Sequence, residues 1–298
     1  HNGTYSGPIL TLIAGIHGSE YAPILAMQYL ARQIDPTHLT GAIVIVHIAN
    51  LPAFVGRTIY FGPNDLKNLN RSFPGSLNGS VTERIAFVLT QQIIERSDFV
   101  IDIHAGDGNE SLRPSYSAYY AEAGGEEVIG LSRRIAIAFG LKTIILFSGS
   151  YDSVEDAIYT SSQAVALGIP AIDVESGERG LVDGQYVDPI TVGVINVMRE
   201  LEMIDGSPES NENPLFISDR VRVKSGHNGI WSPDSLVKTG DYINAGTRLG
   251  VISDYHGTEL ETITAPESGV LLVFIVSPPI NKGEDIAVIG KLSAERDL

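Results

Sequence analysis

The residue types best suited to chemistry open in "GIHGSE", where His17 and Glu20 stand three residues apart. Imidazole and carboxylate are two of the three usual zinc ligand types. Two such ligands on one turn can grip one face of a metal and leave the other open. A catalytic zinc site uses three protein ligands and keeps a position for water, so the pair asks for a third ligand elsewhere. Taken alone, His-x-x-Glu is more often an N-cap region whose polar groups satisfy helix amides, because short motifs recur by chance. A second imidazole, His104, follows an apolar run in "DFVIDIHAGDG", and Asp102 shares its strand face if the strand stays regular. Glu175 follows "IPAIDV", with Ser176 and Gly177 behind it. A carboxylate there can take a proton from a water and return it to a leaving amine; a capping or ion-paired glutamate is the plain alternative, and Asp173 and Glu178 are rivals for the role. Arg57, Asn70 and Arg71 add carboxylate-binding donors, since the guanidinium fork makes paired, charge-assisted bonds to carboxylates. On their own, these three would equally be an exposed, solvated loop.

The elements that must position these groups follow from hydropathy. Apolar β-prone runs "PILTLIAG", "GAIVIVHIAN", "DFVIDIHA", "KTIILFS" and "IPAIDVE" alternate with helical patterns over Glu20 to Gln33, Val81 to Arg96, Glu126 to Phe139, Val154 to Leu167 and Ile190 to Met203. That alternation predicts a mainly parallel sheet covered by helices. Ser80 with Glu83, and Ser153 with Asp156, have capping-box spacing. His17 and His104 both follow strand ends, where ligands gather in open α/β sheets, so both can face one crevice. The stretch from Val55 to Ser80 is rich in Gly, Asn, Pro and Ser and too long for a plain connection, which marks it as functional or disordered. Asp205 to Pro214 reads as a linker. After it, short β-prone runs separated by Gly, Pro and Asn predict an all-β module. Its hairpins look like those of a biotinyl- or lipoyl-type barrel-sandwich, but the turn where a carrier lysine would sit reads Pro266-Glu267-Ser268. The module is therefore read as structural or a lid.

Composition bounds the partners. With 43% hydrophobic and 19% charged residues over 298 positions, the chain can bury a sizeable core. No apolar run reaches transmembrane length. The formal charge of −16 disfavours nucleic acid and anionic membranes. Cysteine is absent, which removes disulfides, thiolate nucleophiles and cysteine-based zinc sites. It also fits a reducing compartment, so a cytoplasmic location is expected. His1, His38, His47, His227 and His256 have no motif around them.

In order, "GIHGSE", "LNRSFPG", "DIHAG" and "DVESG" resemble the succinylglutamate desuccinylase/aspartoacylase family, a branch of the zinc carboxypeptidase superfamily. The match covers the catalytic part in motif order and the trailing β module in texture. It implies a three-layer α/β/α zinc-exopeptidase-like domain over 1–208, with a mainly parallel or mixed sheet, followed by a small all-β barrel-sandwich-like domain over 215–298. It implies one zinc ion per chain, with the family's Gly-x-His-Gly-x-Glu motif on His17 and Glu20 and its third ligand on His104. The pair that holds a substrate carboxylate falls on Asn70 and Arg71. The arginine that contacts the substrate and polarises the scissile carbonyl falls on Arg57, and the catalytic glutamate on Glu175. One departure stands out: the family commonly reads Asp-Leu-Asn-Arg, whereas this chain reads Asn68-Leu69-Asn70-Arg71.

The implied activity is zinc-dependent hydrolysis of a linear amide, releasing the acyl group from a small N-acyl amino acid or related amine. The alternatives are a zinc carboxypeptidase acting on peptides and a non-catalytic small-molecule binding protein. Glu175 beside three ligands argues against the last, since a closed structural site would need a fourth protein ligand. An open cleft favours peptides, and a pocket roofed by the β module favours small N-acyl compounds. The expected partner is a small molecule carrying a carboxylate. A homo-oligomer is compatible with the sequence but not required by it.

Overall fold

A computed structural model describes residues 1–151, 153–209, 211 and 213–293. The apolar runs form strands β1 (Tyr5–Ala14), β2 (Thr40–Val46) and β3 (Phe99–His104). They are followed by β4 (Glu110–Leu112), β5 (Tyr116–Tyr120), β6 (Thr143–Phe147) and β7 (Ala171–Glu175). The helices are α1 (Tyr21–Gln33), α2 (Leu51–Gly56), α3 (Val81–Gln92), α4 (Gly125–Ala138), α5 (Thr160–Ala166) and α6 (Gly184–Glu200). β2, β1, β3 and β7 lie side by side in parallel. β5 runs antiparallel to β7 and parallel to β6, so the sheet is mixed. Strand residues alternate between its faces. Leu10, Leu12, Ile101, Ile103, Ile172 and Val174 pack with α1, α4 and α6. Ile13, Val100 and Ala171 pack with α3 and α5 on the other face.

Three elements differ from their sequence patterns. β5 has no aliphatic run, only "YSAYY", yet all five residues are buried; the Ser117 hydroxyl is satisfied by donating to the Ala136 carbonyl at 3.0 Å. The helix expected over Val154 to Leu167 is one 3-10 turn, Val154–Asp156, and then α5. The Ser153 hydroxyl donates to Asp156 at 2.8 Å but heads only that turn. α6 begins before Pro189 and carries it within its second turn. The Ser80–Glu83 pattern does open α3, with the Ser80 amide donating to Glu83 at 2.8 Å.

The carboxy-terminal part adds β8 (Leu215–Lys224), β9 (Gly229–Pro233), β10 (Tyr242–Ile243) and β11 (Arg248–Ser253). β12 (Glu259–Thr264), β13 (Gly269–Ile275), β14 (Pro279–Ile280) and β15 (Asp285–Ser293) complete it. β8 is the junction. Its first residues pair in parallel with β6, and its length pairs antiparallel with β15. β13 and β10 continue the sheet beyond β15, and β4 pairs with β13, giving 11 strands in all among the described residues. A separate four-stranded sheet, β12-β11-β9-β14, is antiparallel. Trp231 and Phe274 meet edge to face between these layers at 5.8 Å, and the indole N–H donates to the Ile275 carbonyl. Within Asp205 to Pro214, positions 210 and 212 lie outside the described residues; Asn196 holds Glu209 by bonds to both its amide and its carbonyl. No described helix is long and apolar enough to cross a membrane.

Candidate metal centre and cavity

β1 ends at Ala14, and Gly15 turns the chain with φ of +69°. A Cβ there would meet the Ile48 backbone at 2.9 Å, so the turn needs glycine. The turn delivers His17 and Glu20. Glu20 occupies the N-cap position of α1, yet its side chain accepts no capping bond. Its two oxygens go to two imidazoles instead. Oε1 lies 2.7 Å from His17 Nδ1 and Oε2 lies 3.0 Å from His104 Nδ1. That decides against the capping reading of the motif.

His104 is the last residue of β3, and the β3–β7 register sets it beside Glu175 and Asp102 beside Asp173. Asp102, fully buried, has Oδ2 2.9 Å from His104 Nε2. The donor atoms of His17, Glu20 and His104 all lie within 4.8 Å of one another. Asp102, His104 and Asp173 form a second such group, on the other side of the same imidazole.

Charge at this centre is lopsided. Burial disfavours a charged imidazole, but Glu20 and Asp107 outweigh it at His17, and Asp102 and Glu20 outweigh it at His104, so both are raised above the usual histidine range. Burial would likewise raise Glu20, yet the His104 and His17 imidazoles hold it down at about 2. Asp107 and Asp173 are pushed up to about 7, each by burial first and then by a neighbouring carboxylate, Glu20 and Asp102 respectively. Burial and the carboxylates of Glu20, Glu110 and Asp173 raise Glu175 well above the normal carboxylate range. Six carboxylates around two imidazoles make a site that a divalent cation would neutralise. Two imidazole nitrogens and a carboxylate match the three-ligand set of a catalytic zinc, and Asp102 can orient His104 from behind.

The 3-10 turn Leu69–Arg71 carries the next residues. Asn70 Oδ1 accepts from the amide and hydroxyl of Thr160 at 2.9 and 3.1 Å, which turns Nδ2 to 3.5 Å from His104 Nε2. Arg71 stacks over Tyr159 at 4.3 Å and donates to the Asn70 carbonyl. Both line a cavity of about 550 Å³ that also takes in His17, Glu20, His104 and Glu175. Glu175 Oε2 is buried and has no hydrogen-bond partner among the described residues.

The structure does not bring Arg57 to this cavity. It closes α2 in a left-handed conformation, φ 55°, and its side chain is exposed. The role expected of it is therefore not supported by its position. Glu178 is also elsewhere. Ser111, Tyr186, Arg113 and Arg179 all donate to it, and these bonds overcome burial and hold it at about 2. It is an anchored structural carboxylate.

Several lining residues were not singled out from the sequence. Asp107 accepts from the Ser19 hydroxyl at 2.5 Å and lies 3.5 Å from His17. Its place in "HAGDG", just past a candidate ligand, was a usable signal. Tyr116 faces Glu175 across the β5–β7 register. Arg220, from β8, lies over Phe147 at 4.4 Å. Nothing in "SDRVRVK" connects Arg220 to a site whose candidate ligands and proton carrier lie between His17 and Glu175. The far wall comes from the carboxy-terminal part, including Leu272, Ile275, Ile286 and Val288. Pairing of β4 with β13 brings that part against the segment that carries Asp107.

A mixed α/β sheet with a histidine–glutamate–histidine centre at its strand ends defines a class with a candidate metal site. Residues 6–201 match the family model of the Succinylglutamate desuccinylase/Aspartoacylase catalytic domain, and the chain belongs to that family. It is 27% identical over 293 residues to the N-alpha-acetyl-L-2,4-diaminobutyric acid deacetylase of Halomonas elongata, covering 96% of this chain and 83% of that protein. Two of the solved structures that share the fold illustrate this. One is the product-bound ectoine utilization protein EutE (DoeB) of Ruegeria pomeroyi, with TM-score 0.86 and 23% identity over 97% of this chain and 86% of that one. The other is a succinylglutamate desuccinylase/aspartoacylase of Rhodobacter sphaeroides, with TM-score 0.84 and 22% identity over 98% and 87%.

Proposed function

We propose that the protein is a zinc-dependent amide hydrolase that removes the acyl group from a small N-acyl amino acid, on a three-layer zinc-exopeptidase-like domain. The observation that carries this reading is the convergence of His17, Glu20 and His104 in one cavity with Glu175 and Arg71. A zinc ion held by those three ligands would supply Lewis acidity, acidifying a water and polarising a carbonyl. Glu175 stands beside His104 with a free oxygen, placed to take the proton of the attacking water and pass it to the departing nitrogen. Arg71 and Asn70 hold the substrate's carboxylate; Tyr159 under the guanidinium and Thr160 on the amide oxygen keep both donors in place.

A cavity of about 550 Å³, walled on one side by the carboxy-terminal part, is in the size range of small-molecule sites. This favours a compact N-acyl compound over a peptide, and the Halomonas elongata relative is by name a deacetylase of such a compound. The cysteine-free sequence supports placing it in the cytoplasm. The test is metal analysis of the purified protein together with a screen of N-acyl amino acids and short peptides. Zinc near one per chain with release of free amino acid from N-acyl substrates is expected. Absence of bound metal after zinc supplementation, or hydrolysis confined to peptides, overturns the reading.

A further inference from the structure

The two imidazoles of the centre are backed by different chemistry. His104 Nε2 faces the Asp102 carboxylate at 2.9 Å. His17 Nε2 faces Asn68 Oδ1 at 3.3 Å. The orientation of that amide is not arbitrary, because the same oxygen accepts the Asn70 backbone amide at 2.8 Å and so caps the 3-10 turn. An amide oxygen only accepts. With a metal on Nδ1, His17 would then carry its proton on Nε2, toward Asn68, and offer the Nδ1 lone pair on the side of Glu20. An ionised carboxylate behind a ligating imidazole raises its basicity; a neutral amide at 3.3 Å does so far less.

We propose that Asn68 is a positioning residue of the metal centre. Its side-chain oxygen fixes the His17 tautomer, and its neutrality makes His17 the weaker of the two imidazole donors. The inference rests on the metal-centre reading above. It gives Asn68 two tasks, capping the turn that bears Asn70 and Arg71 and orienting His17, so the loop that holds substrate and the turn that holds metal share one atom.

The test uses the full-length protein stripped of metal. Zinc affinity is measured by competition with a chromophoric chelator for wild type, Asn68→Ala and Asn68→Asp. Nitrogen NMR of the histidine rings reads the tautomer in the zinc-loaded form. Asn68→Ala should bind zinc about 10–100-fold more weakly, the scale on which such outer partners act. Asn68→Asp keeps the acceptor for the Asn70 amide and adds a charge behind His17. It should bind zinc more tightly than wild type by about tenfold. A purely structural Asn68 would leave the aspartate variant at wild-type affinity, so that variant decides the matter even if the alanine protein fails to fold. Both variants within twofold of wild type, or His17 protonated on Nδ1 in the zinc-loaded protein, would overturn the inference alone. A wild type that binds no zinc would overturn the metal-centre reading and the inference with it.

Discussion

Glu175 is the proposed proton carrier, and its Oε2 is buried without a hydrogen-bond partner among the described residues. Glu175→Gln keeps the shape of the side chain and removes its basicity. Zinc content and folding should stay near wild type while turnover on a confirmed N-acyl substrate falls by roughly a hundredfold or more. Equal turnover would move attention to Asp173, which also lines the cavity. Acid should act on the ligands. Both imidazoles bind protons more tightly than an ordinary histidine because of the carboxylates around them. Zinc needs those nitrogens unprotonated, so protons compete with it from above the usual histidine range downward. Dialysis at stepwise lower pH should strip zinc progressively, and retention unchanged down to pH 5 would count against an imidazole-held ion. The convergence of His17, Glu20, His104 and Glu175 on one cavity was legible because motif and strand end coincide. Arg57 was misplaced because one left-handed residue at the end of α2 decides where that side chain goes, and sequence spacing carries no trace of it.

Helix α6 shows how an element can depend on one missing side chain. Gly193 lies in it against Phe139, which follows α4. A Cβ at 193 would sit 2.1 Å from the phenyl Cε1. Gly193→Ala should gain about 1 kcal/mol in helix propensity and lose more to overpacking, a net destabilisation of about 1–2 kcal/mol. The urea midpoint should fall; a rise would mean that the ring moves aside freely. The strands with continuous aliphatic runs were readable from sequence, since burial on both faces demands such runs. β5 was not, because its burial is carried by tyrosines and a serine that finds its partner on α4. The start of α5 was invisible for a related reason. Its first amide is satisfied by Asn70, ninety positions upstream, rather than by Ser153 nearby.

At the scale of the molecule, the change of texture after Asp205 to Pro214 marked where the architecture turns all-β, but texture cannot reveal a ladder that runs on. β8 belongs to both parts, paired with β6 from Leu215 and with β15 from Phe216 to Lys224. We propose the segment 205–214 as the boundary between two units that stay joined by this strand. Limited proteolysis should cut there first, and the two fragments should still elute together under native conditions and part only in denaturant. Cleavage confined to distant loops, or fragments that separate at once, would argue against that arrangement.

The shared strand also bears on traffic. A roof attached by a flexible tether could swing aside like a door, but this one is the outer end of the same beam that carries the floor. Lifting it as a rigid flap would shear the β6–β8 and β4–β13 ladders, at about 1 kcal/mol for each hydrogen bond lost. Exchange of substrate and product is then left to the rim, where Phe61 stands half exposed at the edge of the cavity within the long segment after α2. The pace of turnover would be set by how a few loop residues yield, with the framework of the enzyme standing still.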